Sequence, residues 1–343
     1  MSNIRGFASD NNAGVHPEIL KALSDVNAGH AVGYGDDNYT VVAGTKFKEV
    51  FGKDVVFIPV YNGTGANVIS IQTLIRPFNA VICTDVSHIY VDECGAPEKH
   101  SGAKLLPVKT KDGKLTVDLI KQHMHGFGFE HHSQPKMVSI TQVTELGTVY
   151  TIEEIKEIAD YVHSHDMYLH MDGARISNAA VSLGCTLKEM TFDAGVDVLS
   201  YGGTKNGMMF GEAVVFANEK LSENVKYIRK QSTQLHSKMR YISAQFTALL
   251  SNDLWKRNAE HSNKMAAKLA EKIKNMPQIT ITQKVQANGV FCLVPKELIK
   301  PLQDEFFFYM WDESRNEVRW MTSFDTTDED IENFASAIKR LLN

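Results

Sequence analysis

The chain has 343 residues, of which 43% are hydrophobic and 22% charged, and its formal net charge is −5. This charge disfavours a general nucleic-acid-binding surface, because binding phosphates requires clustered cations. The length exceeds that of most single hydrophobic cores, so we expect a larger domain, residues 1–255, and a smaller C-terminal domain, residues 256–343. The sequence contains neither the apolar core of a signal peptide nor an apolar run approaching ~18 residues, which favours a cytoplasmic protein.

In chain order, hydrophobic patterning predicts strands and helices in alternation. Strands are predicted at the short apolar runs 55–60, 80–84, 104–108, 136–141, 167–171, 196–201 and 212–217. Helices are predicted at 17–26, 38–51, from the turn 62–67 to about 74, and at 116–124, 152–163, 224–250 and 253–276. The pattern then changes to short strands, 279–282, 290–294, 305–311 and 317–324, before a closing helix at 327–342. This order predicts an α/β fold with a mainly parallel sheet covered by helices, and ligands at the carboxyl ends of its strands.

The first candidate site is the turn after the predicted strand 55–60. The sequence there is Asn62-Gly63-Thr64-Gly65-Ala66-Asn67. A strand followed by a turn of small residues and a helix start is the geometry in which backbone N–H groups and the helix dipole bind a phosphate. Neither the Rossmann glycine fingerprint nor a Walker loop is present, so the pattern fits a single phosphate. The alternative is a glycine-rich turn that only reverses the chain.

Asp172 directly follows the predicted strand 167–171, and the next strand along the chain leads to Lys205. Residues that leave adjacent parallel strands at the same edge can face one ligand. Asp172 would otherwise be a plain helix N-cap, which is the usual role of a lone aspartate in that position.

Lys205 follows the apolar run 196–201 and the pair Gly202-Gly203, and a second apolar run begins at Glu212. Paired glycines permit a sharp turn. A lysine between two buried elements has a lowered pKa, and its amine can then attack a carbonyl or pyridoxal phosphate. The alternative is an ordinary lysine in a polar loop, so the assignment needs partners elsewhere in the chain.

The histidines and cysteines are the remaining candidates for metal ligands. The histidines of the glycine-containing segment 123–132 fit a surface loop first, an active-site lid with one working histidine second, and a metal site third, because metal ligands need ordered elements. They are His123, His125, His131 and His132. The cysteines lack paired spacing and fit reduced thiols better than a disulfide frame or a zinc knuckle. They are Cys83, Cys94, Cys185 and Cys292. No metal site is predicted.

Four motifs, in this order and spread over nearly the whole chain, resemble those of the threonine aldolases, which are fold-type I pyridoxal-phosphate (PLP) enzymes. They are Gly63-Thr64-Gly65-Ala66-Asn67, Ser87-His88-Ile89-Tyr90, His170-Met171-Asp172-Gly173-Ala174-Arg175 and Gly202-Gly203-Thr204-Lys205-Asn206-Gly207. The resemblance implies the seven-stranded sheet of the aspartate aminotransferase-like fold and a smaller α+β C-terminal domain. It also implies retro-aldol cleavage of L-threonine, L-allo-threonine or a β-hydroxy amino acid such as phenylserine, giving glycine and an aldehyde.

The resemblance also implies roles for single residues. Lys205 matches the Schiff-base lysine, Asp172 the partner of the pyridine nitrogen, and His88 the residue over the ring face. His88 is the expected base or the holder of a water that serves as one, with His132 as the next candidate. Gly63, Thr64, Gly65, Ala66, Asn67 and Thr204 are expected at the cofactor and its phosphate. The substrate carboxylate would be held by Ser9, Arg175 and Arg319, with Arg175 also close to the cofactor and Tyr34 in the substrate-side loop.

One segment departs from the family pattern. The commoner branch has a glycine run before a Met-Arg pair, whereas residues 229–240 here are longer and contain no glycine. In that branch basic residues reach the phosphate of a neighbouring subunit, a role that would fall to Lys230 and Arg240. The family implies a homodimer or homotetramer with active sites at the subunit interface.

The alternative activity is that of a PLP-dependent β-eliminating lyase or an aminotransferase, which would release a keto acid instead of glycine and an aldehyde. Two further classes of protein, a non-catalytic binding protein and a nicotinamide-dependent reductase, fit the sequence less well.

Overall fold

The structure, a computed structural model, describes residues 5–342. Its strands are β1 (Val56–Val60), β2 (Asn79–Thr84), β3 (Lys104–Val108), β4 (Gln134–Thr141), β5 (Tyr168–Gly173), β6 (Val198–Gly202), β7 (Glu212–Phe216), β8 (Thr280–Ile281), β9 (Gly289–Leu293), β10 (Tyr309–Asp312) and β11 (Glu317–Met321). Its helices are α1 (Pro17–Asp25), α2 (Asn38–Phe51), α3 (Gly63–Leu74), α4 (His88–Val91), α5 (Ala96–Ser101), α6 (Val117–Lys121), α7 (Ile152–His163), α8 (Ile176–Leu183), α9 (Leu187–Met190), α10 (Val225–Gln231), α11 (Arg240–Leu249), α12 (Leu254–Ile273), α13 (Lys296–Glu305) and α14 (Asp328–Leu342).

Strands β1 to β7 form one sheet in the order β1-β7-β6-β5-β4-β2-β3. All neighbouring pairs are parallel except those of β7, which runs antiparallel to β1 and to β6. Strands β2, β6 and β7 are buried along their whole length, as expected where helices cover both faces. The predicted mainly parallel sheet is therefore confirmed.

The register of β5 and β6 determines the position of the site. Asp172 pairs with Ser200, and both strands end within the next two residues. Since the strands are parallel, their carboxyl ends lie at the same edge of the sheet. Asp172 therefore leaves the sheet beside the turn that leads from Gly202 to Lys205.

A second, antiparallel sheet has the order β10-β11-β9-β8. Its core contains Trp320 and Phe334, whose ring centroids lie 5.1 Å apart. Phe7 stacks on Phe334 at 4.1 Å, and the carbonyl of Phe7 accepts a hydrogen bond from the amide of Met321. The N-terminal segment is thus attached to the second sheet.

Several element boundaries differ from the prediction. The single helix predicted at 224–250 is wrong, because α10 ends at Gln231 and α11 begins at Arg240. Thr233, between them, has a φ of +59°, which no helix residue adopts. The strand predicted at 305–311 is also wrong in its first half, since α13 continues to Glu305 and β10 begins at Tyr309. Within residues 5–342, no helix combines the length and the apolar character that crossing a membrane requires.

Candidate active site

Lys205 lies in a short 3-10 helix, Thr204–Asn206, that directly follows the end of β6. Gly202 is required there, because a Cβ at that position would lie 2.3 Å from the carbonyl oxygen of Ala174. Gly207, with a φ of +99°, ends the turn in a conformation that favours glycine. Burial, and after it the positive charge of Arg175, lower the pKa of the Lys205 amine. A larger fraction of this lysine is therefore unprotonated at neutral pH than for an exposed lysine.

Asp172 is 5% exposed, and both its carboxylate oxygens are hydrogen-bonded. The amide of Ala174 donates to Oδ1 at 3.0 Å, and Nδ2 of Asn67 donates to Oδ2 at 2.9 Å. Asn67 comes from the second turn of α3, so the helix that follows the glycine-rich turn also orients this carboxylate.

The first turn of α3 is capped by Asn62. Its Oδ1 accepts from the amide of Gly65 at 2.8 Å, and its carbonyl accepts from the amide of Ala66 at 3.0 Å. The first amides of a helix have no partner within the helix, so those of Gly63 and Thr64 remain as donors. With the positive end of the helix dipole, they form an anion-binding position.

These three features line one cavity of about 300 Å³. Its lining residues include Asn11, Gly63, Thr64, Ala66, His88, Asp172, Ser200, Thr204, Lys205 and Glu212. This volume is at the lower end of the range for small-molecule sites, about 300–1,000 Å³. The structure thus brings together the glycine-rich turn, the histidine, the aspartate and the lysine predicted from separate parts of the sequence.

His88 is the first residue of α4, and two of its atoms are hydrogen-bonded. Its Nδ1 lies 2.8 Å from Oε1 of Glu93, and its amide donates to Oε1 of Glu145 at 2.8 Å. The hydrogen bond with Glu93 raises the pKa of His88. Oε1 of Glu93 also accepts from Nδ2 of Asn67 at 2.7 Å. A continuous hydrogen-bonded chain therefore links His88, Glu93, Asn67 and Asp172.

Three acids of this site were not predicted from the sequence: Glu93 and Glu212, which are buried, and Glu145, which is partly buried. Burial raises the pKa of Glu145 to about 7, with the charge of Asp172 as the next cause. Burial also raises the pKa of Glu212 to about 7, and its Oε2 accepts from the amide of Gly203 at 2.6 Å. The sequence feature that could have indicated a site role for Glu145 and Glu212 was their position beside the ends of β4 and β6.

The N-terminal segment supplies part of the site wall. Asp10 accepts from Nε and Nη2 of Arg175 at 2.7 and 2.9 Å, and Ser9 caps the short helix Asp10–Asn12. Arg319 donates to the carbonyl of Ala8 at 3.4 Å. Burial, and after it the charge of Arg175, lower the pKa of Arg319 to about 10. Arg175 and Arg319 both line a small cavity that also includes Glu145.

Nine predicted residues do not line the Lys205 cavity: Ser9, Tyr34, Gly65, Asn67, His132, Arg175, Lys230, Arg240 and Arg319. Tyr34 is 52% exposed, and Nζ of Lys230 lies 5.4 Å from the centre of its ring. Arg240 donates to the carbonyl of Gly29 at 3.3 Å. His132 lies in a surface depression with His123, His125 and His131. Among residues 5–342, no group of three or more His, Cys, Asp or Glu side chains is arranged to hold a metal ion.

A comparison with known families matches residues 6–296 to the sequence profile of the beta-eliminating lyases. The chain belongs to this family. Within the family it is 40% identical, over 337 residues, to a low specificity L-threonine aldolase of Pseudomonas aeruginosa, covering 98% of this chain and 97% of that protein. A second low specificity L-threonine aldolase, from a Pseudomonas species, is 39% identical over 338 residues, which is 98% of each chain.

A solved structure of Leishmania major threonine aldolase superimposes on this beta-eliminating lyase family member with a TM-score of 0.94 and 32% sequence identity. The superposition covers 99% of this chain and 100% of the Leishmania chain. The resemblance to the threonine aldolases is therefore confirmed, and so is the fold-type I architecture with its additional C-terminal antiparallel sheet.

Proposed function

We propose that the protein is a PLP-dependent aldolase that cleaves L-threonine, L-allo-threonine or a related β-hydroxy amino acid such as phenylserine into glycine and an aldehyde. The observation that carries this proposal is the meeting of Lys205 and Asp172 in one cavity with an anion-binding helix start. The 40% identity to a low specificity L-threonine aldolase supports the substrate class.

The residues present fit the chemical groups of PLP. The amides of Gly63 and Thr64 suit its phosphate. The carboxylate of Asp172, fixed by Asn67 and Ala174, suits a protonated pyridine nitrogen. The Lys205 amine suits its aldehyde carbon. When bound, PLP supplies an electron sink for the electron pair released from the substrate Cα–Cβ bond.

Lys205 acts first as the nucleophile toward a carbonyl, because its lowered pKa leaves more of the amine unprotonated. Arg175 and Arg319 hold the substrate carboxylate through their guanidinium groups, which match two oxygens. Two donors of Arg175 are occupied by Asp10, which fixes the plane of the guanidinium while its Nη1 remains for the substrate.

His88 accepts the proton of the β-hydroxyl group, directly or through a water. The O–H electron pair then forms the aldehyde C=O bond as the Cα–Cβ bond breaks, and Cα later receives a proton to give glycine. Glu93 fixes the imidazole through Nδ1, so Nε2 is the nitrogen available to the substrate. His132 is the second candidate base, although it does not line the Lys205 cavity.

The assembly we propose is a homodimer or homotetramer. We assign Tyr34, Lys230 and Arg240, which lie outside the Lys205 cavity of their own chain, to the site of a neighbouring subunit. The separation into residues 1–255 and 256–343 as domains, and a cytoplasmic location, are part of the same proposal.

The test uses purified wild type, Lys205→Ala and the exposed control Lys53→Ala, each incubated with L-threonine, L-allo-threonine and phenylserine. We expect glycine and the matching aldehyde from wild type and Lys53→Ala, and background amounts from Lys205→Ala. Release of pyruvate or another keto acid in place of glycine would favour the β-eliminating lyase or aminotransferase alternative. Equal glycine release by wild type and Lys205→Ala would refute the role of this lysine.

A further inference from the structure

Residues 229–240, from the last turn of α10 to the start of α11, depart from the family pattern and pack onto the glycine-rich turn. Ser232 Oγ donates to Oε1 of Gln72 in α3 at 3.3 Å. Nη1 of Arg229 donates to the carbonyl of Pro59 at 3.4 Å. Gln234 is 9% exposed, and its Oε1 accepts from the amide of Tyr61 at 2.9 Å. The segment is therefore attached to the end of β1 and to α3.

The side-chain amide of Gln234 lies directly against Gly65 in the first turn of α3. A Cβ on Gly65 would lie 2.2 Å from Cδ and 2.5 Å from Nε2 of Gln234. Any other residue at position 65 would displace this amide. The absence of a side chain at position 65 therefore brings Gln234 to the helix turn that provides the anion-binding amides of Gly63 and Thr64.

One half of the Gln234 amide has a partner and the other half does not. Oε1 accepts from Tyr61, whereas no atom of residues 5–342 accepts from Nε2, and Nε2 is not one of the fully enclosed polar atoms without a partner there. This donor is therefore accessible to a group from outside the chain, either water or a bound acceptor. The nearest structural feature is a helix N-terminus, which attracts anions. A phosphate oxygen, which only accepts, is the complementary partner for Nε2 in this position.

We propose that Gln234 is a further phosphate-binding residue, whose Nε2 donates to the PLP phosphate held by the first turn of α3. This inference rests on the proposed function, since it requires a phosphorylated cofactor in the Lys205 cavity. It assigns a cofactor contact to a segment of this chain that has no glycine run, and the contact comes from the same subunit as Lys205.

The test measures the dissociation constants of PLP and of pyridoxal, which lacks the phosphate, by absorbance titration of the apoenzyme. Gln234→Ala removes the donor, and we expect its PLP dissociation constant to rise about tenfold. Gln234→Glu should weaken PLP binding further, because its carboxylate still accepts from Tyr61 but repels the phosphate. Pyridoxal binding should be unchanged in both variants. The control Gln231→Glu makes the same charge change at an exposed position of the same segment and should bind PLP like wild type.

Gly65→Ala provides a second variant that leaves the chemistry of Gln234 intact. We expect it to weaken PLP binding in the wild-type background, and to add little in the Gln234→Ala background, where the side chain it displaces is absent. Equal losses for PLP and pyridoxal in Gln234→Ala and Gln234→Glu would show a purely structural role and overturn the inference. Wild-type PLP affinity in both Gln234 variants would overturn it as well. A wild-type apoenzyme that binds neither compound would refute the proposed function, and this inference with it.

Discussion

At the scale of single residues, the basicity of His88 depends most on the carboxylate of Glu93. Glu93 accepts from Nδ1, and this hydrogen bond raises the pKa of the imidazole because it stabilises the protonated ring, with the charge of Asp172 acting in the same direction. A base must be unprotonated to act, so a raised pKa moves the acidic limb of the activity profile to higher pH. In Glu93→Gln we therefore expect the pKa of His88 to fall and the acidic limb of kcat/KM to move to lower pH.

The pKa of His88 can be followed by NMR titration of its ring protons. His163 serves as an internal control, since its pKa is raised mainly by its hydrogen bond with Asp197, which Glu93→Gln leaves in place. A shift of both histidines would indicate a general change in the protein. An acidic limb that stays in place while the His88 resonance moves would show that another group, such as His132, is the base.

Glu145 makes the stability of the protein depend on pH. An unfolded glutamate ionises near 4.5, whereas burial, with Asp172 as the second cause, raises the pKa of Glu145 to about 7 in the folded protein. Between these values the unfolded state has released a proton that the folded state retains, so the free energy of unfolding falls as pH rises. At pH 8 the ionised Glu145 costs about 1–3 kcal/mol relative to pH 4.5.

Glu145→Gln removes this dependence while keeping an oxygen that accepts from His88 and Thr141. We expect urea unfolding to show that wild type loses more stability between pH 5 and pH 8 than Glu145→Gln does. The other raised acid, Glu212, is common to both proteins and cancels in the comparison. The exposed control Glu130→Gln should follow the wild-type curve. Parallel curves for Glu145→Gln and wild type would mean that Glu145 does not titrate in this range.

At the scale of secondary-structure elements, the strands and helices predicted from the sequence were most accurate where burial alone determines the hydrophobic pattern. The strands β2, β5 and β6 are short, mostly apolar and mostly buried segments, because both faces of the sheet are covered. Since parallel strands share their carboxyl edge, the positions of Asp172 and Lys205 followed from strand order alone. The partners Glu93 and Glu145 did not, because their approach to His88 depends on how α4 and the end of β4 pack in three dimensions.

The segment 232–239 shows how tertiary contacts override local propensity. Amphipathic spacing continued through it and predicted one helix from 224 to 250. In the structure the side chains of Ser232 and Gln234 bond to Gln72 and to the amide of Tyr61. Contacts between residues so far apart in the chain cannot be predicted from the local spacing of apolar residues. Helix α13 was not predicted, and it contains Pro301 in its interior, a residue that usually ends or kinks a helix.

At the scale of the whole molecule, Asp10 joins three distant parts of the chain. It accepts two hydrogen bonds from Arg175, at the end of β5, and one from Asn288, beside β9 of the second sheet, at 3.0 Å. The Asp10 side chain is 1% exposed and that of Arg175 15%. The N-terminal segment thus connects the substrate side of the large sheet to the second sheet through one buried carboxylate.

Asp10→Asn tests this connection, because it leaves the buried Arg175 guanidinium without its charged partner. Removing one member of a buried ion pair costs about 3–5 kcal/mol, and we expect a loss of this size in the free energy of unfolding. Burial opposes ionisation of Asp10, but Arg175, together with Lys205 and Asn288, outweighs burial and lowers the pKa. The contribution of the pair is therefore present above pH 3.8 and lost only as pH falls below that value. The difference between wild type and Asp10→Asn should therefore stay constant from pH 5 to pH 9.

The control is Asp25→Asn, which breaks an exposed ion pair with Lys21. The Asp25 side chain is 59% exposed and that of Lys21 74%, so this variant should change the free energy of unfolding by less than about 1 kcal/mol. If urea unfolding gave similar values for the two variants, Asp10 would not be the residue that holds the sheets together.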